Sequence, residues 1–304
     1  MDATPSVSLP PDAESGVPRR PPQTFEIGGR SFVWGSRTYV MGIINVTPDS
    51  FSGDGLLTRN ADPVAAAVAQ ATQMAAEGAD MLDIGGQSTR PGHAAVSVNE
   101  ELARVIPVMQ EVHRALPDMP LSIDTTSAEV AEAAVEVGAR LFNDVWGTAA
   151  EPALLKLAAD LVMPIVLMHN REEARYTNVV AEVIADLQRA IDAAVGAGIA
   201  WERLIVDPGI GFGKTPEHNL ALLHDLAALQ VLGRPILLGT SRKSTIGKIL
   251  DLPADHRVEG TLATTALGIA AGVDIVRVHD VQPNVRVARM SDAVIRASSR
   301  DLNK

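Results

Sequence analysis

From residue 38 onward the chain alternates between two rhythms. Short runs rich in Val, Ile and Leu are separated by longer Ala-rich stretches of helical period. The apolar runs are Tyr39–Val46, Met81–Ile84, Leu121–Ile123, Arg140–Val145, Pro164–Met168, Leu204–Val206, Pro235–Leu238 and Asp274–Val278. They are nearly all-apolar rather than alternating, the mark of parallel strands covered on both faces. The intervening stretches predict helices over Pro63–Glu77, Val98–Leu116, Ala128–Val137, Pro152–Leu161, Val179–Ala197, Pro216–Leu229, Val258–Ala271 and Val285–Ser298. Pro63, Pro152 and Pro216 stand where a first helical turn begins, and Gly78, Gly138, Gly198 and Gly272 where a helix ends. Eight strand–helix units in about 265 residues suit a single (β/α)8 TIM barrel, typically about 250 residues long. A doubly wound sheet is the alternative.

The first residues follow another pattern. Phe25 to Trp34 alternates around Gly28-Gly29, which predicts a short β-hairpin. Residues 1–24 are Pro- and Ser-rich and aperiodic, so they are expected to form a disordered tail, leaving 25–304 as the barrel domain. Arg19-Arg20 is followed by Pro21-Pro22 rather than an apolar stretch, and Asp2, Asp12 and Glu14 disfavour a transit peptide. A cytoplasmic location is expected.

Composition narrows the chemistry. The chain has 304 residues and no cysteine, which excludes disulfides, thiolate metal sites and a cysteine nucleophile. Lys and Arg total 26 against 37 Asp and Glu, a net charge of −11, and only 3% of residues are aromatic. Neither figure suits a nucleic-acid binder, which needs excess cations or stacking rings. No apolar stretch reaches the roughly 18 residues of a membrane span. An anionic substrate would therefore need cations gathered locally.

In such a barrel the active site lies at the C-terminal ends of the strands. There the sequence places Asn45, Asp83, Asp124, Asn143, His169, Asp207, Lys243, Arg277 and His279. Asp124, Asn143, Asp207 and Lys243 combine acceptors and a donor suited to the edge of a nitrogen-rich heterocycle. Arg90, Arg277 and His279 suit a phosphate.

At these residues the sequence resembles the dihydropteroate synthase family. Met41-Gly42-Ile43-Ile44-Asn45-Val46-Thr47-Pro48-Asp49-Ser50-Phe51-Ser52 looks like its first signature, and Asp83-Ile84-Gly85-Gly86-Gln87-Ser88-Thr89-Arg90-Pro91-Gly92 is similar to its second. Ser122–Thr125, Phe142–Val145, Asp207–Lys214, Ser241–Ser244 and Arg277–Val281 resemble the rest in order. Gln87 stands where the family commonly has Glu.

The resemblance implies condensation of (7,8-dihydropterin-6-yl)methyl diphosphate with 4-aminobenzoate, giving dihydropteroate and diphosphate in folate synthesis, with Mg²⁺ as cofactor. Position by position, it implies that Asp124, Asn143, Asp207 and Lys243 hold the pterin. Arg277 would stack on its ring and reach the phosphates with His279, and Asn45 would bind Mg²⁺. Thr89, Pro91 and Ser244 would contact substrate, with Asp54, Arg90, Lys243, Arg277 and His279 forming the catalytic set. The leaving diphosphate and a cationic methylene favour a dissociative substitution. The resemblance further implies a homodimer through the later helices and a sulfonamide target.

Blander readings stand beside these. Asp83 either binds substrate or orders the second loop. His169 reads as a satisfied buried histidine, and Arg242 as a partner for a neighbouring Asp. Gly209, Gly211 and Gly213 match neither phosphate-loop pattern and are assigned to backbone geometry. Glu100, Glu101 and Arg104 read as a solvated helix face. The competing functions are a pterin-dependent corrinoid methyltransferase and a catalytically silent binding paralogue.

Overall fold

The computed structural model describes residues 23–46, 62–87, 96–147 and 151–296. Strands β1 (Gln23–Ile27) and β2 (Arg30–Trp34) form the antiparallel hairpin, paired from Gln23 with Trp34 to Ile27 with Arg30. Gln23 and Thr24, expected in the tail, thus pair in the hairpin. The rest of that tail lies outside the described residues.

Eight parallel strands follow: β3 (Tyr39–Asn45), β4 (Met81–Gly85), β5 (Leu121–Asp124), β6 (Ala139–Asp144), β7 (Ile165–Met168), β8 (Leu204–Asp207), β9 (Leu237–Leu238) and β10 (Ile275–Val278). Their order is β8-β7-β6-β5-β4-β3-β10-β9. A parallel bridge between Val206 and Ile236, with the Val206 N–H donating to Pro235 O at 2.9 Å, joins the two ends and closes the barrel.

Among the described residues nine α-helices surround it: α1 (Pro63–Glu77), α2 (Val98–Ala115), α3 (Ala128–Glu136), α4 (Pro152–Asp160), α5 (Val179–Gly196), α6 (Pro216–His224), α7 (Ser244–Leu250), α8 (Val258–Ala270) and α9 (Val281–Ile295). Local chemistry sets their starts. Asp62, Ser97, Ser127 and Asn178 each accept a first-turn N–H, and Thr215 with His218 forms a capping box. Each helix buries a stripe, as in α2, where Val105, Val108, Met109 and Val112 follow i, i+3, i+4, i+7 spacing. Burying such a side chain contributes roughly 1.5–3 kcal/mol.

Two helices differ from the sequence expectation by more than one residue at a boundary. The helix expected over Pro216–Leu229 stops at His224 and continues as a 3-10 turn over Leu226–Leu232. The last helix starts at Val281, not Val285. The short α7 was not anticipated, because seven residues hold too few turns to show a period.

The barrel interior has two layers. Met41, Met81, Leu141, Val166, Ile205, Leu237 and Ile275 form a buried cluster with Phe25, Ile27, Phe32, Trp34 and Tyr39. The hairpin thus plugs the lower mouth. Successive strand residues alternate faces, so the next inward position lies two residues further on. Met81 is followed by Asp83, Leu141 by Asn143, Ile205 by Asp207, and Ile275 by Arg277. The upper layer is therefore polar and rests on an apolar floor.

Candidate active site

Strand register brings the polar layer into a ring. Asp124 lies beside Asn143 and Gly85, Asp83 beside Ser122, and Asp207 beside Met168. Arg277 ties the ring together. Its Nε donates to Asp83 Oδ2 at 2.5 Å and its Nη2 to Asp124 Oδ2 at 2.7 Å. Asn143 Nδ2 donates to the same Asp83 oxygen at 2.9 Å. Asp83, weighed between substrate contact and ordering of the second loop, is fully buried and orients Arg277 and Asn143. Asp124 Oδ1 is buried with no partner among the described residues.

Asp207 Oδ1 accepts the Gly209 N–H at 2.7 Å. Lys243 donates through Nζ to Ile210 O at 2.7 Å, and its ammonium lies 3.9 Å from the centre of the Phe212 ring. Burial dominates the electrostatics here. It raises Asp124 to about 7 against the pull of Arg277, and raises Asp207 against the Gly209 N–H and Lys243. It lowers Lys243 to about 7, while Asp207 opposes that shift.

His279 and Asn45 form a second group. Asn45 Nδ2 lies 3.4 Å from His279 Nε2, and Ser241 Oγ lies 3.0 Å from His279 Nδ1. Ser241 Oγ also accepts the His279 backbone N–H at 3.1 Å. Ser244 is exposed at the first turn of α7, directly after Lys243. Arg242 pairs with Asp280 at 2.7 Å, as its sequence suggested. Among the described residues no cluster of three or more His, Asp or Glu side chains forms a metal cage.

Asp124, Asn143, Asp207, Lys243 and Arg277 therefore share one mouth, with His279 and Asn45 beside them. Asp54, Thr89, Arg90 and Pro91 lie outside the described residues. Ser241, Phe212 and Lys214 had no role in the sequence reading, although all three stand inside its motifs.

The glycines at 209 and 213 serve backbone geometry, as expected. Both have positive φ, and an added Cβ would sit 1.8 Å from His169 O at Gly209 and 2.1 Å from Arg171 O at Gly213. His169 is fully buried and satisfied, with Nε2 3.0 Å from Asp186 Oδ2.

Glu101 corrects the sequence reading. It is fully buried rather than solvated, and it accepts a hydrogen bond from Gln87 Nε2. It stands four residues before Val105 on the buried stripe of α2, and Gly86 packs closely there, where an added Cβ would meet Val105 at 2.6 Å and Glu101 at 3.2 Å. Gln87 is apt there, since a carboxylate would face the buried Glu101 charge. Arg104 caps Gly86 O at 2.8 Å.

The pattern of the family described as pterin binding enzyme matches residues 41–279. The chain is 47% identical over 273 residues to the dihydropteroate synthase of Clostridium beijerinckii, covering 90% of this chain and 100% of that one. It is 48% identical to the Bacillus subtilis dihydropteroate synthase over 259 residues, covering 85% and 89%. The Xanthomonas albilineans dihydropteroate synthase, solved with 4-aminobenzoic acid, superimposes with a TM-score of 0.84 at 45% identity, covering 91% of this chain and 100% of that one. Its complex with 7,8-dihydropteroate gives 0.82 at 43% identity, with the same coverage. With its barrel, its polar ring and these relatives in agreement, the chain belongs to the dihydropteroate synthase family of pterin-binding enzymes.

Proposed function

We propose that this chain joins (7,8-dihydropterin-6-yl)methyl diphosphate to 4-aminobenzoate, giving 7,8-dihydropteroate and diphosphate. The observation that carries this is Asp124, a buried carboxylate with an unpartnered Oδ1 in a ring with Asn143, Asp207 and Lys243. Such a set is completed by a flat molecule that offers N–H donors to carboxylates and a carbonyl to an ammonium.

Asp124, Asn143 and Asp207 accept the pterin's N–H groups, and Lys243 donates to its carbonyl. Arg277, freed from Asp124, covers the ring face and reaches the diphosphate with His279. The C–O bond to the methylene breaks and its electron pair leaves with diphosphate. Asp124 and Asp207 lower the energy of the resulting pterin cation. The arylamine nitrogen then bonds to the methylene and releases its proton. Asp54, Thr89, Arg90 and Pro91 are assigned to this reaction by family resemblance, as is Ser244 beside the aminobenzoate.

Mg²⁺ fits the donor set in a limited way. Asn45 offers a single amide oxygen beside His279, which suits an ion carried mainly by substrate phosphates and water. It would neutralise charge on the leaving group.

Among the described residues no helix is long and apolar enough to cross a membrane, which accords with a cytoplasmic location. Exposed Ile249 and Leu250 on α7 and Leu267 on the adjoining α8 support a homodimer through the later helices. The Yersinia pestis synthase has been solved with a sulfonamide drug, and sulfonamides are the expected competitors of 4-aminobenzoate here as well.

A diphosphate-release assay tests the activity. Release that requires both 4-aminobenzoate and Mg²⁺ is expected. Methyl transfer from a methylated folate, with no such release, would overturn the reading.

A further inference from the structure

A second polar cluster lies behind the glycine loop that follows β8. Lys214 Nζ donates to Gly209 O at 3.0 Å and to Phe212 O at 3.0 Å. It also lies 2.8 Å from His169 Nδ1 and 3.4 Å from His169 O. An ammonium has no lone pair, so His169 Nδ1 must accept. The network therefore assigns the His169 proton to Nε2, which donates to Asp186 Oδ2 at 3.0 Å. Arg171 Nε binds the same Asp186 oxygen at 2.8 Å. Tyr176 OH donates to Gly213 O at 2.9 Å, pinning the far end of the loop. Burial lowers His169 to about 4, in keeping with a neutral ring, and lowers Lys214 to about 7 against the pull of Asp207; the four acceptors around the Lys214 Nζ are matched by its ammonium form.

The loop so gripped makes three contacts with the pterin-facing groups. Its Gly209 N–H holds Asp207, its Ile210 carbonyl holds Lys243, and its Phe212 ring underlies the Lys243 ammonium. Lys214 itself sits on the opposite side, against His169.

We propose that Lys214 is a positioning residue for pterin binding, its ammonium drawing the carbonyls of Gly209 and Phe212 together so that the loop aims Asp207 and Lys243. This rests on the pterin-site reading above. Lys214 acts through the loop and touches no substrate. The effect should fall on the pterin and spare the arylamine. Loss of the ammonium would leave two loop carbonyls and His169 Nδ1 without their shared donor, loosening both recognition groups at once.

The absence of cysteine elsewhere in the chain permits a sharp test. Lys214→Cys can be alkylated at that position alone with 2-bromoethylamine, which restores an ammonium at nearly the original reach. Calorimetry with dihydropterin diphosphate is expected to show affinity about 30-fold weaker in Lys214→Cys, returning to within about threefold of the parent after alkylation. The KM for 4-aminobenzoate should stay within about twofold throughout. In a double-mutant cycle, Lys214→Cys and Asp207→Asn should be strongly non-additive, because both act on one recognition group.

Pterin affinity unchanged in Lys214→Cys, a loss not restored by alkylation, or additive effects in the cycle would each overturn the proposal. Should Lys214→Cys not fold, Lys214→Gln, which keeps an N–H donor, carries the same comparison. A parent protein that binds no dihydropterin diphosphate would defeat the pterin-site reading instead.

Discussion

Arg277 Nη2 lies 2.7 Å from Asp124 Oδ2, so a guanidinium occupies one oxygen of the carboxylate assigned to the pterin. A guanidinium and the amino-pyrimidinone edge of a pterin present similar parallel N–H donors. Arg277 thus offers Asp124 the same donor chemistry as the pterin proposed to bind there. Its second anchor is Asp83, whose Oδ2 accepts from Arg277 Nε at 2.5 Å.

Replacing Asp83 tests that anchor. Asp83→Asn should lower kcat/KM for the dihydropterin substrate by roughly 10–100-fold, with little change in KM for 4-aminobenzoate. Steady-state kinetics with each substrate varied in turn checks this. An equal loss for both substrates would point to general damage instead.

Asp207→Asn should weaken dihydropterin diphosphate binding by roughly 2–4 kcal/mol, because a charge-assisted pair inside the barrel is lost. The fold should persist, since an amide oxygen can still accept the Gly209 N–H. Calorimetry beside a thermal melt separates the two effects. Near-normal affinity would show that another carboxylate reads the pterin.

Ionisation should shape both binding and stability. Burial raises Asp124 from 3.8 to about 7 and lowers Lys243 from 10.5 to about 7. Asp124 must be charged and Lys243 protonated to hold the pterin. Affinity should therefore peak near neutrality and fall on both sides, measured by calorimetry across roughly pH 5.5–8.5. The stability slopes have the opposite sense. Between its two values, Asp124 holds a proton only when folded, so its contribution declines as pH rises towards 7. Between its own two values, Lys243 holds a proton only when unfolded, so its contribution recovers as pH rises beyond 7. Both costs are greatest where substrate binds best. Asp124→Asn should remove the acid limb of the affinity profile, and a limb that survives would assign it elsewhere.

The floor of the barrel should matter for stability and not for recognition. Phe32 is buried, with its ring 5.5 Å from that of Trp34, and Phe32→Ala should cost about 3–5 kcal/mol. Urea unfolding is expected to show that loss while dihydropterin affinity in native buffer stays unchanged. A parallel fall in affinity would mean that the floor also shapes the pocket.

Much of this architecture was legible in the chain. The all-apolar runs marked parallel strands, and Pro63, Pro152 and Pro216 marked helix starts to the residue. The ring of Asp124, Asn143, Asp207, Lys243 and Arg277 was found because barrel chemistry collects at strand ends. Less visible was the alternation hidden inside those runs, where Met81 faces the floor and Asp83 the mouth. Uniformly apolar strands carry no period that separates inside from outside. Long-range pairs were also silent. Lys214 meets His169 across 45 residues, and no local pattern announces that meeting. Glu101 reads as solvated because a carboxylate usually marks a wet face, although its spacing, four residues before Val105, continues the buried stripe of α2.

The hairpin plug has a consequence for traffic. With Phe25, Ile27, Phe32 and Trp34 filling one end, the described barrel is a cup that opens at the end where Asp124 and Asp207 lie. Both substrates must enter, and both products leave, through the same opening. On the proposed reading the pterin, held by Asp124 and Asp207 just above that floor, arrives before its partner. On that reading a dihydropteroate that lingers blocks the next pterin, and turnover is tied to clearing that threshold.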